Sequence, residues 1–203
     1  MDFSTVILSF VASFFIFLRR VLHLIINPYT TMRKISQKTD WSEVIIIFSL
    51  VLLYFYAANS WREFPYEPAL LFLFTVVHFI LIVFYFYSLS QATHGQSNLR
   101  SFIATFAYSL IPTLVWFSVN SLLYLLLPPP RTPSFAGKSF SMVYLTFSVS
   151  ILMWKMLLMY LAIRFSSKLS FYRIVYFFMI FVCIMVPYSI LLYALKLFRI
   201  PFI

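Results

Sequence analysis

Five side chains in this 203-residue chain could serve as carboxylate acids, bases or ligands: Asp2, Asp40, Glu43, Glu63 and Glu67. None is expected to lie within an apolar block. Proteolysis inside a membrane by aspartates requires two paired, buried carboxylates, and proton or sodium paths commonly use a buried acid. Neither chemistry is expected here. Three imidazoles, His23, His78 and His94, show no HExxH spacing and have no carboxylate or cysteine nearby in sequence, so no metal site is expected. The single cysteine, Cys183, sits in an apolar block and reads as a small core hydrophobe. No Gly-x-Ser-x-Gly turn is present, and two glycines leave no material for a glycine-rich phosphate loop. No catalytic residue and no cofactor is expected, and the chain reads as non-enzymatic.

The elements that carry these residues are built for lipid. Hydrophobic residues make up 63% of the chain and charged residues 10%, against about 25% charged in a soluble domain. The formal charge of +10 falls at the ends of apolar blocks. That pattern sets orientation in a membrane, and nucleic acid is not expected as a partner.

Residues 3–26 are apolar but are interrupted by Arg19 and Arg20. Charges follow the apolar run instead of preceding it, which is not the layout of a signal peptide. At about 100° per residue, Thr5, Ser9, Ser13, Arg20, His23 and Asn27 form one stripe, with Asp2 extending it. Phe3, Val6, Ile7, Phe10, Phe14, Phe17, Leu18, Val21 and Ile25 form the other. A continuous polar stripe predicts an amphipathic helix lying in the membrane interface, with a true span as the alternative. Asn27-Pro28 should end it, and the basic segment 29–41 should form a short surface helix.

Residues 1–41 thus form a cytoplasmic amphipathic and basic segment, and 42–203 a transmembrane bundle. A span needs about 20 apolar residues. Five are expected, at about 43–60, 69–89, 101–127, 140–163 and 172–197. Trp41 and Trp61 bracket the first, as suits interfacial tryptophans. Pro128, Pro129 and Pro130 close the third. With the N-terminus inside, nine Lys and Arg fall on the inner side and five on the outer. The expected topology is N-terminus cytoplasmic and C-terminus outside.

Six intramembrane positions stand out. His78 and Asn120 are expected to make single interhelical hydrogen bonds. Pro112 and Pro187 should kink spans three and five, freeing the carbonyls of Tyr108 and Cys183. Lys155 lies too deep to reach water easily and should face the bundle interior, where hydroxyls, Asn120 or those freed carbonyls could receive it. On the cytoplasmic side, Arg33, Lys34, Lys38, Arg164, Lys168 and Arg173 are expected to attract anionic lipid.

The order of these features resembles the Ypt-interacting-protein (Yip) domain family of five-span membrane proteins, from about residue 22 to the end. The features are a short helix ending at Asn27-Pro28, a basic lead into span one and a polar loop with Gly95. They continue with Tyr108, Ser109 and Pro112 in a Tyr-Ser-x-x-Pro pattern, then Trp154 and Leu158 in span four and a basic loop before span five. The chain is most similar to the compact prokaryotic type, for which a plasma-membrane location is implied. The expected fold is all-α: a five-helix transmembrane bundle with an N-terminal interfacial helix. The expected function is a scaffold or adaptor that engages membrane lipid and other membrane proteins. The alternative is a small transporter or permease component with its path near the proline-broken spans.

Overall fold

A computed structural model describes residues 3–61, 64, 66–93, 97–126 and 134–195, with side chains of the first helix described from Ala12 onward. Asp2, Ser9, Arg62, Glu63, Pro65, His94, Gly95, the prolines 128–130, Arg131 and the tail from Lys196 concern sequence expectations that fall outside this description.

The described residues are helical throughout, without a strand. Helices α1 (Phe3–Ile26) and α2 (Pro28–Gln37) precede α3 (Trp41–Asn59) and α4 (Pro68–Ala92). There follow α5 (Leu99–Tyr108), α6 (Ile111–Leu126), α7 (Phe135–Ser167) and α8 (Phe171–Ala194). Five stretches are long and apolar enough to cross a membrane: α3, α4, α5 with α6, most of α7, and α8. The chain is therefore a multi-pass, all-α membrane bundle.

Local chemistry explains the boundaries. Asn27 has non-helical backbone angles, and Pro28 opens α2 with its fixed φ and missing N–H. Asp40 caps α3, its carboxylate accepting from the Ser42 amide at 3.0 Å. Asn98 caps α5 in the same way, accepting from the Arg100 amide at 3.0 Å. Pro68 opens α4 in its first turn. Lys168 ends α7 in the left-handed conformation (φ 56°), its amide donating to the Arg164 carbonyl at 3.1 Å. This position usually favours glycine, and a chain with two glycines fills it with lysine.

The sequence reading gains detail at three of these elements. Span three is two helices: Pro112 cannot donate to Tyr108, and the chain breaks at Ser109–Leu110. Pro187 lies inside α8, which continues through it. The short helix expected after Pro28 is α2, and one face of it packs inward. Thr31, Met32 and Ile35 of α2 are buried, and Tyr29 packs edge-on against Phe165 of α7, centroids 5.0 Å apart.

The main core is aromatic. Phe86 of α4 lies against Phe106 of α5 at 5.5 Å and Phe181 of α8 at 5.1 Å. Phe102 stacks on Phe106 at 6.0 Å. Close stacks of flat rings fill space without small residues, which suits a sequence that is 22% aromatic. A second, smaller cluster at the far end joins Val51 and Phe55 of α3 to Leu71 and Phe117.

Candidate functional site

Polar contacts sort the bundle into two ends. At one end, the Asn98 amide donates to the Ser166 carbonyl at 3.3 Å, and Ser166 Oγ lies 2.9 Å from Ser101 Oγ and 3.1 Å from Thr105 Oγ1. Arg173 donates to the Thr93 carbonyl at 3.2 Å, placing a cation on the C-terminus of α4 where the helix dipole favours it. Together with the Tyr29–Phe165 contact, these bonds gather α2, the α4–α5 loop and the α7–α8 loop. At the other end, Tyr54 meets Ser121 at 2.9 Å, and Trp116 donates to Ser148 at 3.1 Å.

The two basic groups read from sequence therefore share one end. Arg33, Lys34 and Lys38 are exposed along α2, and Arg164, Lys168 and Arg173 are exposed around the α7–α8 loop. Arg164 also donates to Tyr160 at 2.8 Å, so it is partly engaged by its own helix.

A buried acid that the sequence reading missed lies at this end. Glu43, in the first turn of α3, is 1% exposed. Arg20 of α1 forms an ion pair with its Oε2, and the Tyr108 hydroxyl of α5 donates to the same oxygen at 2.6 Å. Oε1 has no hydrogen-bond partner among the described residues. The expectation that no acid lies within a span is corrected here: Glu43 is inside the bundle because a cation and a phenol meet it there. One signal was available, namely an arginine in an apolar segment, which needs a counter-charge.

The same pair gives one member of the stripe on α1 an inward contact. Arg20 points into the bundle, near Phe17 and Leu24, which are buried, and Phe17 packs on Tyr108 with centroids 6.0 Å apart. Phe14, Phe15, Leu18, Leu22 and Ile25 are exposed. Arg20 thus turns partly inward, while His23 and Asn27 on the same side of α1 stay exposed.

The remaining intramembrane positions divide. His78 Nε2 bonds the Tyr188 hydroxyl of α8, and its Nδ1 lies 2.6 Å from the Phe74 carbonyl. Asn120 accepts from Tyr144 of α7. Both are the interhelical bonds expected of them. Lys155 is buried, on the face of α7 that carries Leu158, Met159 and Ala162, so it faces the interior as expected. Pro112 is buried at the α5–α6 break, whereas Pro187 is exposed on α8. The two prolines therefore do not share an interior path. Cys183 is exposed on the flank of α8 and is not a core residue.

Two cavities adjoin these features. One, of about 510 Å³, lies between α4 and α8 and is lined by His78, Tyr85, Phe181, Met185 and Tyr188, with the exposed Leu81, Phe84 and Ile184 opening it to the flank. The other, of about 470 Å³, lies between α1 and α2 and is lined largely by polar and basic side chains. No group of three or more His, Cys, Asp or Glu that could hold a metal occurs among the described residues.

The architecture defines a class, the multi-pass helical membrane proteins. Comparison with protein-family profiles, with curated proteins and with solved structures returns no match to this chain.

Proposed function

We propose that this protein is a non-enzymatic membrane scaffold or adaptor of the Yip-like type, with its basic end in the cytoplasm and its C-terminus on the outer side. The observation that carries the reading is the gathering of two basic segments, about 130 residues apart in sequence, onto one end of the bundle. That end is tied together by the Ser101–Ser166–Thr105 cluster and the Arg20–Glu43–Tyr108 triad. A rigid cationic platform suits anionic lipid and acidic partner surfaces. The stacked aromatic core beside it suits a solid body.

Photo-crosslinking residues at Arg33 and Lys168 should capture discrete membrane-protein partners in intact membranes, and neutralising Lys38 and Arg164 should reduce that capture. A topology reporter fused after Ile203 should be active on the outer side. Cytoplasmic activity of that fusion, or crosslinks indifferent to the basic residues, would reject the reading.

The crevice between α4 and α8 favours a second reading, a small permease. A polar pairing in its wall, His78 with Tyr188, sits where a solute would pass along the flank. Solute flux in proteoliposomes, abolished by His78→Ala, would support the permease over the scaffold.

A further inference from the structure

The groove between α1 and α2 is cationic and has been given no role so far. Arg19, Arg20, His23, Asn27, Thr30 and Lys34 line it, and no acid does. Arg20, His23 and Asn27 recur at spacings of three and four, so they share one face of α1 and its exit. Thr30 and Lys34 are four apart and share a face of α2. The turn at Asn27–Pro28 brings the two faces together around about 470 Å³, a volume within the usual range for a small-ligand site.

Three properties of the groove select its ligand. The first is charge. Arg19, Arg20 and Lys34 supply three cations, and Glu43 offsets the one on Arg20. The remaining two positive charges match a phosphate monoester dianion better than a singly charged diester. The second is geometry. A guanidinium presents five N–H donors, and the ion pair with Glu43 engages Nη1 of Arg20. The third is the start of α2. Asn27 makes no side-chain capping bond there, so the first-turn amide of Thr30, a residue that lines the groove, has no competing cap.

The geometry points to a binding site for a lipid phosphomonoester headgroup in this groove. The acyl chains would lie along Ile16, the exposed apolar residue that lines the groove. This site deepens the lipid-engaging part of the scaffold reading and rests on it. It is separable from partner capture at Arg33 and Lys168, because neither residue lines the groove.

The test uses the full chain in nanodiscs of neutral lipid doped with phosphatidic acid or with phosphatidylglycerol, and reads lipid retained after detergent extraction by native mass spectrometry. The wild type should retain phosphatidic acid at least several-fold over phosphatidylglycerol. Arg19→Gln and Lys34→Gln should each lower that retention about five-fold, as loss of one interfacial charge implies, and Lys168→Gln should leave it unchanged. His23→Phe offers a charge-neutral second variant if a doubly substituted chain fails to fold, and it should also weaken retention. Equal retention of the two lipids, or a preference surviving in Arg19→Gln/Lys34→Gln, overturns the proposal. Binding of inorganic phosphate with no lipid preference also overturns it, because the groove then takes the soluble ion. Crosslinking to protein partners that persists without lipid selectivity would reject this site and leave the scaffold reading standing.

Discussion

Removing Arg20 should destabilise the bundle more than removing the charge of Glu43. The two ends of the pair are unequally buried: the side chain of Arg20 is 20% exposed and that of Glu43 is 2% exposed. Arg20→Met leaves a carboxylate deep in the bundle with only the Tyr108 hydroxyl to meet it, and losing one partner of a buried pair costs about 3–5 kcal/mol. Glu43→Gln keeps an acceptor for Tyr108 and leaves a guanidinium that can turn towards the groove it lines, so the cost falls to about 1–3 kcal/mol. The double variant Arg20→Met/Glu43→Gln should lose less than the sum of the single losses by about 1–3 kcal/mol, because the two side chains are in contact. Unfolding in mixed micelles with rising anionic detergent, followed through the four tryptophans, gives all three values. If Glu43→Gln is as damaging as Arg20→Met, or if the losses add to within about 0.5 kcal/mol, the triad is not the fastening argued here.

Two further outcomes follow from the intramembrane contacts. Tyr188→Phe removes the hydroxyl that meets His78 and should cost about 0.6–1.7 kcal/mol in the same unfolding assay; no change would mean that the bond contributes nothing to stability. Cys183, exposed on the flank of α8, should react with a membrane-permeant maleimide and resist a water-soluble one, and labelling by the water-soluble reagent would put that face of α8 in contact with water.

Much of the bundle could be read from residue order because lipid imposes length. Apolar blocks bounded by Trp41 and Trp61, by Pro68, and by the basic loops became helices within a few residues of where hydropathy and capping put them. His78, Asn120 and Lys155 were legible because a polar group in an apolar helix has few choices, and the structure buries or bonds each of them. The misreadings share one cause: periodicity on a single helix does not know its neighbours. Arg20 belongs to the polar stripe of α1 when α1 is drawn alone, yet it turns inward because Glu43 is there to receive it. Met32 and Ile35 look like minor apolar interruptions in a basic segment, but α5 and α7 give them a core to enter. Cys183 is apolar by type and lies outside because only one face of α8 is needed for packing.

That single face of α8 has a consequence for assembly. Its buried residues Ile174, Phe177, Phe181 and Met185 form one ridge, and the rest of the helix looks outward. The buried ion pair and the serine cluster are both complete in the chain up to Ser167. A nascent chain emerging at about 5–20 residues per second can therefore neutralise its costliest groups while α8 is still inside the ribosome. The final helix brings no charge to be compensated in the core. It arrives as a lateral addition, driven by ring packing on Phe86, and it delivers the tyrosine that meets His78. α8 thus docks onto a body whose ion pair is already made, and its flank can part from that body without exposing the pair to lipid.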